Sequence, residues 1–312
     1  MQISVIIPLF NEEESLPELM AWIDKVLTEN SYSAEVIMID DGSKDGSWEV
    51  IRHLKTRYSY LKGVRFRSNY GKSGALHVGF EMAKGDVVIT MDADMQDSPD
   101  EIPALYKMIV EEGYDLVSGY KQKRHDSVLM KNIPSKLYNF VARTVSGIKN
   151  LHDFNCGLKA YHKDVVKNIE VYGEMHRWIP VLAKWAGFDK ITEKVVVHRA
   201  RKYGVSKFGL NRFINGLLDL MSLVVTQKYF KKPMHFFGSL GVFFSFIGGF
   251  TLLYLFTIRT FFHFWLKDRM PAMIFGTVSV ILGAIFFCTG LLGELISRNS
   301  AYKNTYKIRD EV

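Results

Sequence analysis

The sequence predicts an α/β protein with a mostly parallel sheet, followed by two helices that cross a membrane. Three observations lead to this expectation. Short Val- and Ile-rich runs alternate with stretches of helical periodicity, most runs end in polar or acidic residues, and two long apolar runs occupy the C-terminal part. Strands that alternate with helices indicate right-handed crossovers and parallel pairing. Uninterrupted apolar runs of about 20 residues are typical of transmembrane helices.

The predicted elements follow one another along the first 120 or so residues. Apolar runs predict buried strands at 3–8, 36–39, 64–66, 87–90 and 116–118. Helical spacing of apolar residues predicts helices over 15–29, 46–58, 72–83 and 100–112. Pro8 is expected to end the first strand. Ser15 and Glu18 predict a capping box at the start of the first helix. Ligands are then expected beyond the carboxyl ends of the strands.

Charge and cysteine content restrict the classes of function. The formal net charge of +7 is spread along the chain. It fits a surface that meets anionic lipid or phosphorylated substrates, and no zinc-finger or basic-tail pattern points to nucleic acid. Cys156 and Cys288 lie far apart, and one falls in an apolar run, so we expect no disulfide and a reducing compartment. The chain enters its first strand without a signal peptide, which predicts a cytoplasmic N-terminal part.

The two apolar runs, 236–258 and 272–296, are each long enough to span the ~30 Å hydrocarbon core. Basic residues outside the runs exceed those in the connection by a modest margin, which predicts that both termini are cytoplasmic. Small residues and Glu294 on the second run favour helix–helix packing, through which a homo-oligomer could form. The small residues are Gly283, Gly290 and Gly293.

The expected domain organisation has four parts. A catalytic domain covers 1–207, a juxtamembrane amphipathic helix 208–234, two transmembrane helices 235–298, and a basic cytoplasmic tail 299–312. A further amphipathic stretch, 129–145, either packs on the core or lies on the membrane surface.

The strand at 87–90 runs directly into Asp92 and Asp94. Carboxylates at the end of a buried strand must face a crevice, because they cannot stay buried unpaired. Two carboxylates with the nearby Gln96 amide suit Mg²⁺ or Mn²⁺, with positions left for phosphate oxygens. A capped strand-to-loop turn is the alternative for an isolated Asp-x-Asp. Further acidic and amide clusters, at 11–12 and 40–41, are predicted at the same edge and favour a binding site.

Four motifs occur in a fixed order. They are Pro-Leu-Phe-Asn-Glu-Glu at 8–13, Asp-Asp-Gly-Ser-Lys-Asp-Gly-Ser at 40–47, Asn-Tyr-Gly-Lys-Ser-Gly-Ala at 69–75 and Asp-Ala-Asp-Met-Gln at 92–96. In this order and spacing, they resemble the family 2 glycosyltransferases of GT-A fold. Within that family, the chain looks like the polyprenyl-phosphate glycosyltransferases, which include dolichol-phosphate mannose synthase and bacterial undecaprenyl-phosphate glucosyltransferases. Two C-terminal spans are typical of the bacterial branch, so the resemblance covers the whole chain.

The resemblance implies transfer of a hexose from a nucleotide-diphosphate sugar to polyprenyl phosphate at the cytoplasmic membrane. Mg²⁺ or Mn²⁺ would be held by Asp92, Asp94 and Gln96. The residues that match contacts to the sugar donor are Pro8, Phe10, Glu12, Ile39, Asp41, Asp92, Ala93, Lys121, Arg201 and Lys207. Phe10 stands where the family usually has Tyr. Lys121 stands where it has Arg, and Arg124 could take over that role.

Catalytic roles are implied for Asp94 and Asp153, the latter within Asp-Phe-Asn-Cys-Gly-Leu at 153–158. Asp153 matches an acidic residue near the acceptor and could be a general base, an orienting group or a turn cap. A polyprenyl phosphate is already an anion near neutral pH and needs little deprotonation. Attack opposite the leaving diphosphate implies inversion at the anomeric carbon.

Other functions stay open. UDP-glucose or a similar sugar is the expected donor, with GDP-mannose as the alternative. Processive polysaccharide synthases carry Gln-x-x-Arg-Trp, whereas residues 174–178 read Glu-Met-His-Arg-Trp, and two spans are too few to line a polymer channel. A membrane-anchored subunit that binds sugar nucleotide without turnover is a third alternative. No Gly-x-Gly-x-x-Gly turn follows the first strand, which excludes a dinucleotide dehydrogenase.

Overall fold

The computed structural model describes residues 1–121, 143–144, 146–148, 150–173, 175–197, 199, 202, 233–262 and 269–299. The chain divides into two compact units, 1–217 and 218–312, and each is described by itself below. The amphipathic stretches predicted at 129–145 and 208–234 lie largely outside the described residues, and so does the tail after residue 299.

The first unit is built on a seven-stranded sheet with the order β3-β2-β1-β4-β6-β5-β7. The strands are β1 Ile3–Leu9, β2 Ala34–Asp40, β3 Leu61–Arg65, β4 Val87–Thr90, β5 Leu116–Tyr120, β6 Lys159–His162 and β7 Ile191–Val195. All pairings are parallel except those of β6, which runs antiparallel to both β4 and β5. The expected mostly parallel sheet is confirmed, and the reversed strand is an addition.

Helices cover the sheet on both faces, as the alternating pattern requires. They are α1 Leu16–Glu29, α2 Ser47–Arg57, α3 Lys72–Met82, α4 Ile102–Val110, α5 Lys163–Asn168 and α6 Ile179–Trp185. Single 3₁₀ turns occur at Pro99–Glu101 and Met175–Arg177. The predicted capping box at α1 is wrong. Ser15 precedes the helix, but its hydroxyl donates to the backbone and side chain of Glu12 instead of accepting a helix N–H.

The central strands carry Val and Ile on both faces because both faces are buried. Ile3, Val5, Ile6 and Ile7 of β1 have no exposed surface. Pro8 does not end β1, which continues to Leu9. The ladder with β4 stops at Ile6, so no partner beyond it needs the N–H that proline lacks.

One edge of the sheet gathers the polar motifs. Leu9 lies opposite Asp40, so β1 and β2 end together, and β4 ends at Thr90 beside them. Because β6 is reversed, its first residue, Lys159, pairs with both Thr90 and Ser118 at this same edge. The segment before β6, which contains Asp153, therefore reaches the edge where the other strands end.

The second unit contains a short π-helix, Met234–Gly238, followed by α7 Ser239–Phe262 and α8 Met270–Asn299. Two stretches of it, Met234–Phe261 and Met270–Ile296, are long and apolar enough to cross a membrane. Only 17% of each most apolar window is buried, unlike the core helix of a soluble protein. The two predicted apolar helices are thus present.

The glycines of α8 are used for packing within the chain. A Cβ at Gly283 would lie 2.8 Å from the carbonyl oxygen of Gly241, and one at Gly290 3.1 Å from the nitrogen of Gly238. Gly293 faces Pro233 in the same way. These positions let the backbones of the two helices approach closely. Homo-oligomerisation through them stays a prediction.

Candidate active site

Hydrogen bonds tie the loop after β1 to the loop after β2. The Asn11 N–H donates to Ser43 Oγ at 2.9 Å, and Asn11 Oδ1 accepts from the Lys44 N–H at 2.8 Å. The Glu12 N–H donates to Ser47 Oγ at 2.9 Å. Asn11 has a φ of 56°, a left-handed conformation that Asn tolerates better than most residues. The motifs at 8–13 and 40–47 therefore form one rigid rim.

Asp41 lies at the centre of this rim and is 4% exposed. Its two carboxylate oxygens accept the N–H groups of Tyr70 at 2.7 Å and of Gly71 at 2.9 Å. Burial raises the pKa of Asp41, and these two hydrogen bonds oppose the rise without cancelling it. Gly71 has a φ of +84°, which explains the glycine in the third motif. Asp41 thus joins the motif at 69–75 to the rim.

Of the other residues matched to the sugar donor, Pro8, Phe10 and Glu12 are partly exposed along this rim. Ile39 differs, because its side chain is fully buried in β2. Its Cδ1 lies only 3.1 Å from where a Cβ on Gly79 of α3 would be, so the side chain packs under α3. Ile39 is therefore enclosed in the sheet, and its contact with the sugar donor stays a prediction. Ala93 is 4% exposed.

Asp92 forms an ion pair with Lys72, the first residue of α3. Gly157, just before β6, packs directly against the Asp92 carboxylate: a Cβ on Gly157 would lie only 2.6 Å from Asp92 Cγ. Burial alone would raise the pKa of Asp92, but Lys72 and Lys121 outweigh it and hold the value at about 2. Asp92 is therefore ionised throughout the physiological pH range.

The turn after Asp92 is tight. Met95 has a φ of 62°, unusual for this residue type, and the Gln96 N–H donates back to Asp94 Oδ1 at 3.1 Å. Asp94 is 8% exposed. Backbone strain of this kind collects at functional sites.

The set Asp92, Asp94 and Gln96 fits a Mg²⁺ or Mn²⁺ ion on its donor chemistry, and a lysine ammonium already stands at Asp92 as a cation. Within the described ranges, no three or more His, Cys, Asp or Glu side chains gather around one point. The set therefore suits an ion that takes one or two carboxylates and completes its shell with water and phosphate.

Lys121 follows β5 and makes an ion pair with Asp97 at 2.8 Å. Both are buried: the side chains are 13% and 0% exposed. Burial would lower the pKa of Lys121, but Asp97 and Asp92 raise it well above its ordinary value. Lys121 thus delivers a fixed positive charge next to Asp92, and Asp97 holds it there.

Asp153 is 2% exposed at the same edge. One of its carboxylate oxygens accepts the Asn155 N–H at 3.0 Å, and its carbonyl oxygen accepts the Ser118 hydroxyl at 3.3 Å. Cys156 and Gly157 follow, with Gly157 against Asp92. Lys159 donates to the carbonyl oxygen of Cys156, and burial lowers the pKa of this lysine.

Arg201, Lys207 and Arg124 lie outside the described residues. The neighbouring Arg199 is described, and its guanidinium lies 4.2 Å from the centroid of the Trp22 ring. Lys202 bonds Glu18 of α1 at 2.7 Å. These contacts anchor Arg199 and Lys202 to α1.

Sequence reasoning missed several residues of this edge, including Lys72, Asp97, Gly157 and Lys159. A lysine directly after a glycine at a helix start is a weak signal that could have pointed to Lys72. Nor was His176 expected here. Its N–H donates to Ser73 Oγ at 3.0 Å, which places His176 beside the start of α3.

Comparisons with known proteins agree with this architecture. The family model for Glycosyl transferase family 2 matches residues 4–170. A dodecaprenyl-phosphate galacturonate synthase of Rhizobium johnstonii is 33% identical over 96% of this chain and 88% of its own length. An undecaprenyl-phosphate 4-deoxy-4-formamido-L-arabinose transferase of Aeromonas hydrophila is 36% identical over 95% of this chain and 88% of its own.

Solved structures show the same fold. Mannosyl-3-phosphoglycerate synthase from Rubrobacter xylanophilus superposes with a TM-score of 0.59 at 13% identity, covering 73% of this chain and 75% of the other. Glucosyl-3-phosphoglycerate synthase from Mycobacterium tuberculosis, in complex with Mn²⁺, UDP-glucose and phosphoglyceric acid, gives 0.51 at 19% identity, covering 72% and 79%. The family model matches more than half of the chain, the relatives match nearly all of it, and the solved structures share its fold. The chain therefore belongs to glycosyl transferase family 2 and has the GT-A fold.

Proposed function

We propose that the chain transfers a sugar from a nucleotide-diphosphate donor to a polyprenyl phosphate and produces a polyprenyl monophosphosugar. The observation that carries this proposal is the pair Asp92 and Asp94, which follow β4 at the same sheet edge as the rim formed by residues 8–13 and 40–47. Relatives that match nearly the whole chain act on dodecaprenyl and undecaprenyl phosphates. Two exposed apolar helices support a membrane location, where such acceptors are found.

In this proposal, Asp92, Asp94 and Gln96 hold Mg²⁺ or Mn²⁺. When bound, such an ion neutralises the diphosphate as it leaves. Lys121 adds a positive charge that Asp97 fixes in place. Charge fixed before the reaction stabilises a leaving anion without reorganisation.

The nucleoside would bind along the rim formed by Pro8, Phe10, Glu12 and Asp41. Asp41 is held by two backbone N–H groups, so it is oriented before the nucleoside arrives. Phe10 offers an aromatic face for the base. Ala93 lies between the two aspartates in sequence, and its side chain is part of the hydrophobic core, so we infer that it supports the two aspartates from below.

The acceptor phosphate would approach beside Asp153. Because this phosphate is already an anion, Asp153 need not remove a proton, and its buried, hydrogen-bonded carboxylate suits an orienting role. Attack from the side opposite the diphosphate inverts the anomeric carbon. An α-linked sugar donor then gives a β-linked product. Arg201 and Lys207 are proposed to close over the phosphates, a task for which Arg and Lys are suited.

The sugar donor is proposed to be a UDP-sugar, with UDP-glucose as the first to be tested and GDP-mannose as the alternative. Relatives whose names specify galacturonate and 4-deoxy-4-formamido-L-arabinose add these two sugars to the set. The catalytic unit and both termini are proposed to lie on the cytoplasmic side, where nucleotide sugars are made. This orientation agrees with the distribution of basic residues.

The experiment incubates membranes that contain the full chain with labelled UDP- and GDP-sugars and extracts them with organic solvent. Label in the lipid phase supports the proposal. Label in insoluble polymer indicates a synthase, and no label with any sugar indicates a binding subunit. Asp94→Ala should abolish the lipid-phase label, whereas Asp189→Ala, which removes an exposed aspartate paired with Lys184, should not. Near-normal turnover of Asp94→Ala would overturn the metal assignment.

A further inference from the structure

Lys72 has a position that helix stability does not explain. It is the first residue of α3, and no acidic residue lies in the first turn of that helix. A cation near a helix N-terminus is opposed by the helix dipole. Its partner is Asp92, one of the two aspartates proposed to hold the metal. The lysine therefore stands where a divalent cation would bind.

Two further lysines interact electrostatically with Asp92, but each binds a different group directly. Lys121 is paired with Asp97 at 2.8 Å, and Lys159 donates to the carbonyl oxygen of Cys156. Among these three lysines, Lys72 is the one whose described partner is Asp92 itself. A metal that uses the Asp92 oxygens must compete with Lys72 directly.

A metal ion can replace Lys72 at the Asp92 oxygens only if the lysine side chain moves. Gly157 closes the other side of Asp92, since even a Cβ there would approach Asp92 Cγ to 2.6 Å. The Lys72 side chain is 30% exposed, and its four-carbon stem is flexible. Once displaced, its ammonium needs a new anion. The diphosphate of the sugar donor brings that anion to the same place as the metal.

We propose that Lys72 is a resident counter-ion of Asp92, which the divalent cation displaces and which then pairs with the diphosphate. The lysine thereby makes metal binding weak in the absence of the sugar nucleotide and couples the two ligands. This inference rests on the proposed function for the identity of the second ligand. The competition at Asp92 itself depends only on the ion pair.

The test measures Mn²⁺ binding to the purified full chain in detergent by electron paramagnetic resonance, without nucleotide. Lys72→Met removes the charge and keeps most of the stem, and Lys72→Gln is a second neutral variant. Both should bind Mn²⁺ about 5- to 10-fold more tightly than the wild type, the size expected for loss of one partly exposed ion pair. Lys72→Arg should remain close to wild type.

Lys163→Met is the matched control, because Lys163 also forms an ion pair with an aspartate, Asp86, at 2.7 Å but away from this edge. Its Mn²⁺ affinity should not change. Adding UDP should tighten Mn²⁺ binding to the wild type more than to Lys72→Met, after subtraction of Mn²⁺ bound by UDP alone. Thermal unfolding confirms that each variant is folded.

Unchanged or weaker Mn²⁺ binding in folded Lys72→Met and Lys72→Gln would overturn the inference. That result is separate from failure of the proposed function, which would appear as a wild-type protein that makes no lipid-linked sugar. Tighter Mn²⁺ binding in both neutral variants, with no change in Lys163→Met, supports the role of Lys72 as counter-ion of Asp92.

Discussion

The Arg199 N–H donates a hydrogen bond of 3.0 Å to the carbonyl oxygen of Gln96. This bond joins the segment after β7 to the turn that contains Asp94 and Met95. The Arg199 side chain stacks on Trp22, and the Trp22 indole N–H donates to Asp100 Oδ1 at 2.8 Å. The side chains of Arg199, Trp22 and Asp100 thus form a clasp that holds Arg199 beside this turn.

Trp22→Ala should raise the KM for the sugar donor about 3- to 10-fold and change kcat less. The expected loss is the ~1 kcal/mol of an exposed cation–π contact, because Arg199, whose N–H bonds the turn at Gln96, is then less well anchored. Steady-state kinetics with a range of sugar-donor concentrations checks this. Tyr106→Ala is the control, since it removes a different aromatic pair, that with Tyr32 at 4.9 Å. Equal KM values in Trp22→Ala and the wild type would contradict a positioning role for the clasp.

Gly157→Ala should lower kcat/KM at least about 10-fold. The added Cβ would push Asp92 out of place, and overpacking of this kind costs about 1–3 kcal/mol. Gly74→Ala is the comparison, because a Cβ there would lie 3.4 Å from Tyr70 Cβ and 3.9 Å from Phe66 Cε2, both ordinary contacts. Activity assays and thermal unfolding of both variants separate a local effect from misfolding. If Gly157→Ala were as active as Gly74→Ala, the close contact with Asp92 would have no functional meaning.

Cys156 should resist alkylation in the folded protein. Burial raises the pKa of its thiol to about 12, so at pH 8 almost none of it is thiolate, the reactive form. In a Cys288→Ser background, iodoacetamide should label Cys156 at least about 1,000-fold more slowly than in the unfolded chain, whose thiol pKa is ~8.5. Mass spectrometry of the labelled peptide against time measures both rates. Similar rates before and after unfolding would contradict the buried, neutral thiol.

Glu35→Gln should lower the thermal midpoint of the protein by several degrees. Glu35 is 1% exposed and accepts hydrogen bonds from Ser4 Oγ at 2.6 Å and from Lys62 Nζ at 2.5 Å. Losing one bond to a buried charge costs roughly 1.5–3 kcal/mol. Glu29→Gln, which removes an exposed pair with Lys25 at 3.8 Å, should change the midpoint little.

The Glu35 effect should also depend on pH. Burial acts to raise the pKa of Glu35, but Lys62 and Ser4 outweigh it, so its pKa in the folded state is lower than in the unfolded state. A lowered pKa stabilises the folded state at pH values above the unfolded-state pKa of ~4.3. This contribution is lost as the pH falls through the folded-state pKa. The difference in midpoint between wild type and Glu35→Gln should therefore be constant near pH 7 and shrink below about pH 4. A difference that grows on acidification would contradict this sign.

The sequence by itself determined the strands and helices of the first 120 or so residues and the two apolar helices. Apolar periodicity reports directly on burial, and burial sets these elements. It also placed Asp41, Asp92 and Asp94 at one edge, because the carboxyl ends of parallel strands must meet there. It did not determine the reversal of β6, since a four-residue strand carries no signal of its direction.

Only the tertiary structure decided what surrounds each carboxylate. Lys72 lies beside Asp92 at the start of α3, whereas Gly157 and Lys159 come from the segment that leads into the reversed β6. The same is true of Ile39, for which the family resemblance implied a contact with the sugar donor but whose side chain packs into the core. Local pattern fixes which residues are buried, whereas the pKa and the partner of a buried charge depend on contacts between residues far apart in sequence.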